Sequence, residues 1–240
     1  MATRSIRLPV AAAHRFYIGI GLLAALIAAM GFWPTYFGPL LAGTVEQPRV
    51  IHVHAAIFSG WIALFGTQVL FAATGHMALH RKLGAVGIWY GVVIIIVGIF
   101  TAFSQFADRI DAGRLEEAQQ RLLAPLTDMI VFPLFFGAAV LYRRRPELHK
   151  RLMLVATTTL LVAAALRMSF LGDPLPRPMR LVIWFSPILL GMAYDLIIRR
   201  SIHPVYIIGL AALYVLSLRG ALVETDTWLA FSGWLATLVS

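Results

Sequence analysis

Long runs of apolar residues, broken by short polar loops, dominate the chain. Seven stretches approach the roughly 20 apolar residues that a helix needs to cross a bilayer core of about 30 Å. They are 16–33, 50–73, 83–104, 125–142, 152–171, 181–198 and 204–223. In lipid each must be helical, because an unpaired backbone group there costs several kcal/mol. A last apolar stretch, Trp228 to Val239, is too short to cross. Its tryptophans Trp228 and Trp234 suit the headgroup boundary, which predicts an interfacial helix. The expected fold is therefore all-α: a polytopic transmembrane bundle of about seven spans, in one domain over 1–240. The longest loop, 105–122, is expected to carry at most a short surface helix. The first run is too long to read as a cleaved leader.

Composition sharpens this reading. Of 240 residues 60% are apolar and 13% charged, with a mean hydropathy of +0.83. A soluble domain is nearer half apolar and a quarter charged, so the excess must face something other than water. The chain has no cysteine, which excludes disulfide scaffolds, thiolate nucleophiles and iron–sulfur clusters. The net charge of +9 sits in loops and does not point to nucleic acid. Twelve cations fall on one side: Arg4, Arg7, Arg15, Arg81, Lys82, Arg143, Arg144, Arg145, Lys150, Arg151, Arg199 and Arg200. The other side has seven cations and eight carboxylates. The positive-inside tendency then places the amino terminus in the cytoplasm and the carboxyl terminus outside, in an inner membrane.

Ionisable residues inside apolar spans are costly and usually face the bundle interior, so each is a candidate site. Near the outer ends lie His52, His54, Asp128 and Arg167, expected to form a polar cluster with Asp128 paired to Arg167. Near the cytoplasmic ends lie Gln68, His76, His80, His149, Asp195 and His203. Two segments echo each other, Leu79-His80-Arg81-Lys82-Leu83 and Leu148-His149-Lys150-Arg151-Leu152, each opening a span. On a helix, Gly84, Gly87, Gly91 and Gly98 fall within about 40° of the face carrying His80. A histidine above a glycine groove leaves room for a flat prosthetic group. Small residues at such spacing equally serve helix packing without any cofactor.

Two chemistries suit these histidines. His80 and His149 can hold a b-type haem as axial ligands, for electron transfer with a quinone or another membrane redox protein. Alternatively, His76 and His80, spaced i, i+4, form a zinc or iron site with His203 and Asp195. A third class binds no cofactor and acts in transport, assembly or lipid contact. The run His54, Trp61, Gln68, then His80-Arg81-Lys82-Leu83-Gly84, then His149-Lys150-Arg151-Leu152-Met153, resembles a family of bacterial multi-pass membrane proteins of unknown function. That likeness implies the membrane architecture and a bacterial inner membrane, and nothing about chemistry. More distantly the same run resembles the cytochrome b561-like membrane cytochromes, whose histidines on successive helices ligate haem. That implies at most one haem here, since Asp128 stands where a partner for His54 is needed. The histidine-rich alternative resembles the zinc hydrolases related to adiponectin receptors and ceramidases, although their motifs fall in a different order.

Overall fold

The computed structural model describes residues 10–170 and 172–239, so the flanking cations Arg4 and Arg7 lie outside the described residues. It is an all-α bundle, 85% helical. Helix α1 (Val10–Phe32) continues through a π-helical turn, Trp33–Phe37, into Gly38–Leu41. The wide turn falls where Pro34 cannot donate to the helical ladder. Helix α2 (Arg49–Ala73) starts after Pro48 and ends before Gly75, whose φ of +80° suits only a residue without Cβ. Then come α3 (Met77–Asp111), α4 (Leu115–Leu141) and α5 (Pro146–Leu160). A further turn, Val162–Leu166, continues α5 after a break at Leu161. A two-residue hairpin, β1 (Ser169–Phe170) and β2 (Asp173–Pro174), leads into α6 (Arg177–Arg199). Helix α7 (Pro204–Ser217), a 3-10 turn at Arg219–Leu222 and α8 (Asp226–Val239) complete the chain.

Five of the seven expected runs fall on long helices, whereas 152–171 breaks at Leu161 and leaves the helix after Leu166, and the α-helix of 204–223 ends at Ser217. Among the described residues five helices are long and apolar enough to cross a membrane: His14–Leu41, Arg49–Ala73, Met77–Asp111, Leu115–Leu141 and Arg177–Arg199. This is an integral membrane protein, with apolar side chains such as Leu22, Trp89, Phe100 and Leu134 turned outward. Helix α7, with 14 residues, rises about 21 Å and is shorter than a span.

Helix α5 is the pillar of the bundle, packed against α4, α6 and α7, while its continuation packs on α1. Arg151, Leu152 and every residue from Leu154 to Thr159 are buried. Three threonines fall in that stretch. Thr158 and Thr159 return their hydroxyls to carbonyls one turn back, and Trp61 Nε1 donates to Thr157 Oγ1 at 3.4 Å. Polar residues turn inward because lipid offers them no partner.

The stretch 105–122 departs from expectation. Instead of a loop with a surface helix, α3 runs on to Asp111 and α4 begins at Leu115. Glu117 draws together Arg109, Arg114 and Arg121 around the tight link at Gly113. Helix α8 lies on this hairpin, with Trp228 and Ala236 against Ala102, Phe106, Ala118 and Leu122. Trp228 Nε1 donates to the Gln119 carbonyl (2.9 Å), and Gln119 Nε2 donates to that of Leu229 (3.2 Å). The opposite face of α8 exposes Phe231, Trp234 and Leu238, as an interfacial helix requires.

Candidate functional site

His80 and His149 sit in the first turns of α3 and α5, helices that enter the bundle from the same end. Their ring centres are 6.4 Å apart and their planes nearly perpendicular, at 84°. The two imidazoles that the sequence echo singled out therefore meet. Each is tethered through Nδ1 to a backbone carbonyl, His80 to Gln68 at 3.2 Å and His149 to Ala139 at 2.8 Å. A carbonyl only accepts, so each Nδ1 carries the proton and a neutral ring keeps its Nε2 lone pair free. His149 lies in the polar first turn of α5, ahead of the buried stretch. Burial pushes it below the usual histidine range, outweighing the opposing effect of the Ala139 carbonyl. Neutral imidazole is the metal-binding form, and a carbonyl on the second nitrogen is the usual outer support of a ligating histidine.

The fit of a porphyrin is tested by the glycine face of α3. The side-chain amide of Gln68 lies against Gly84, where a Cβ would stand 3.1 Å from Nε2, and Gln68 Oε1 is buried with no partner among the described residues. Leu64 covers Gly87 at ordinary contact, 3.5 Å from where a Cβ would sit. At Gly91 the ring of Phe136, and at Gly98 the thioether of Met129, take the space a Cβ would need. The expected open groove is thus corrected at Gly91, where the missing Cβ admits a phenylalanine from α4. What remains to hold a metal-centred group is the imidazole pair, with the unpartnered Gln68 oxygen on the helix that tethers His80. The deeper glycines serve helix packing.

The alternative metal set is dispersed. His76 is exposed and its Nδ1 pairs with Thr74 Oγ1 at 2.8 Å. His203 Nδ1 accepts from the Val205 N–H at 3.2 Å and so caps α7. Asp195 is held by Arg151. Among the described residues no three of His, Cys, Asp and Glu converge on one point. The outer cluster is corrected as well. Asp128 pairs with Arg219, not Arg167, and the same guanidinium reaches Thr127 Oγ1 (2.9 Å) and the Ala124 carbonyl (3.1 Å). Arg167 stays on its own helix end, donating to the Ala163 carbonyl and covering the Phe32 ring at 5.3 Å. His52 Nδ1 meets the Tyr36 hydroxyl at 2.9 Å, and His54 stacks on Phe58 with ring centres 4.1 Å apart. Asp128 and His52 are thus drawn to other partners, while His54 Nδ1 is buried with no hydrogen-bond partner among the described residues.

One constellation escapes the sequence reading. Arg151, which looks like a topology anchor, is fully buried, as is Asp195. Nε and one Nη of Arg151 bind the two oxygens of Asp195. The other Nη binds the Glu147 carbonyl at 2.8 Å and its carboxylate at 2.7 Å. The guanidinium lies over the Tyr206 ring at 5.5 Å. Glu147 also takes Lys150 at 2.8 Å and Arg199. Asp195 accepts the His203 backbone N–H at 3.3 Å. An aspartate within an apolar run was the visible signal. Its partner was hidden among loop cations.

Comparison with family models, curated proteins and solved structures gives no match to this chain.

Proposed function

We propose that this protein holds a single b-type haem between His80 and His149 and serves in electron transfer within a bacterial inner membrane. The observation that carries the reading is the meeting of the two rings, each with Nδ1 tethered to a carbonyl. Two metal–imidazole bonds of about 2 Å, with half of each ring added, put axial imidazole centres roughly 6 Å apart. The separation of 6.4 Å agrees. When bound, haem supplies one-electron redox chemistry whose potential follows from burial and outer hydrogen bonds. The chain's own part is to hold the two imidazoles oriented. The Gln68 and Ala139 carbonyls fix the tautomer, and Asp195 acts through Arg151, which anchors the same turn of α5 that carries His149.

The electron partner in this reading is a quinone or another membrane redox protein. A groove of about 590 Å³ between α1 and α2, lined by Gly21, Ala25, Ala63, Gly66 and Leu70, gives an apolar tail a place beside the helix that tethers His80. The concentration of cations at the His80 and His149 end supports a cytoplasmic amino terminus and an outer carboxyl terminus. A cofactor-free membrane role is the second reading, favoured by Phe136 filling the space at Gly91.

The deciding measurement is the dithionite-reduced spectrum of protein purified from haem-replete cells. A b-type α-band is expected in the wild type and in His54→Ala. It is expected to vanish in His80→Ala and His149→Ala. A wild-type spectrum without that band overturns the proposal.

A further inference from the structure

His149 and Arg151 are two residues apart, which on an α-helix turns them about 200° from each other. One face of α5 therefore offers His149 to His80 on α3, while the nearly opposite face offers Arg151 to Asp195 on α6. The Arg151 grip is directional. A planar guanidinium meets both oxygens of one carboxylate, and one of those oxygens also accepts from the backbone of His203, at the entrance to α7. A pair this deeply buried contributes little net stability, because desolvating two charges offsets their attraction. Apolar residues of similar volume would hold the helices together equally well. What they would not supply is a fixed rotation.

We propose that the Arg151–Asp195 pair is a positioning clamp that sets the rotation of α5 so that the His149 ring meets that of His80. Helix α5 has only 15 residues before the break at Leu161, and its buried stretch begins at Arg151, just after the turn that carries His149. Glu147 reinforces the clamp by joining Arg151 to Arg199 on α6. The consequence for cofactor binding rests on the haem reading. The rotation itself does not.

The test uses the absence of native cysteine. Nitroxides are placed at Leu79→Cys and Arg145→Cys, exposed positions beside the two histidines. The distance between them is measured in the native background and in Arg151→Met/Asp195→Leu, which removes both charges together and avoids stranding one. The native background is expected to give one narrow distance, and the double variant a shifted or broadened one. Haem retention should fall about tenfold in the double variant, as for loss of an outer support of a metal ligand. Its spectrum should lose six-coordinate character. Asp195→Glu in the native background, which keeps the charge pair, is expected to preserve both. Should the double variant not fold, Arg151→Lys keeps the charge but loses the fork, and is expected to broaden the distance. An unchanged distance in a folded clamp-free variant overturns the proposal. The labels read rotation without haem, so a wild type lacking the α-band sinks the haem reading alone.

Discussion

Glu147 illustrates how one exposed side chain can be bound to a buried network. Burial alone would raise its carboxyl, but hydrogen bonds and charges from Lys150 and Arg151 outweigh that and hold it at about 2. This lies below its ordinary value of 4.5, so ionised Glu147 favours the folded state fully above that value. The contribution is lost as pH falls from there toward 2. The thermal midpoint of the native protein in detergent is therefore expected to drop between pH 6 and pH 3. Glu147→Gln should show a smaller drop, and equal drops would remove Glu147 from the network. A second residue-scale expectation concerns Gly91. Alanine there drives a methyl into the Phe136 ring, at a cost of about 1–3 kcal/mol for an overpacked interior. A Gly91→Ala protein as stable as the native one in chemical denaturation would mean that Phe136 does not fill that space.

At the scale of elements, the long apolar helices are legible in the sequence because lipid leaves the backbone no alternative to the helix, but their ends are not: α3 runs over Met77–Asp111 where the apolar run covers only 83–104. The role of α5 is less legible. Thr157, Thr158 and Thr159 make its apolar run look like the weakest, and burial inside the bundle is the reason it tolerates them. His80 and His149 were identifiable because their context repeats. The Arg151–Asp195 and Asp128–Arg219 pairs were not, since a partner 44 or 91 residues away is chosen by packing and leaves no local pattern. The α1–α5 contact is another such case. Gly31 lies against the backbone of Ala164, so any Cβ there meets main chain that cannot rotate aside. Gly31→Val should therefore separate α1 from the continuation of α5 and lower the unfolding midpoint more than Gly91→Ala does. The reverse order would show that the approach at Gly31 is not close.

For the molecule as a whole, apolar groups cover the outside, while the fully buried set includes Arg151 and Asp195. That arrangement suits lipid as the solvent, because a charge facing hydrocarbon costs more than one paired inside protein. It also fixes what orientation means here. Arg81, Lys82 and Arg143 to Arg145 share one end with His80 and His149, while the α3–α4 hairpin with its mixed-charge turn and α8 forms the other. If loop cations set topology, the histidine end faces the cytoplasm. With no native cysteine, single reporters at Arg145→Cys and Asp111→Cys read the two ends without background. A membrane-impermeant thiol reagent applied to intact spheroplasts should label Asp111→Cys at once, and Arg145→Cys only after the membrane is opened. The reverse pattern would put the histidine pair on the outer face, where any electron partner would have to reach it from outside the cell.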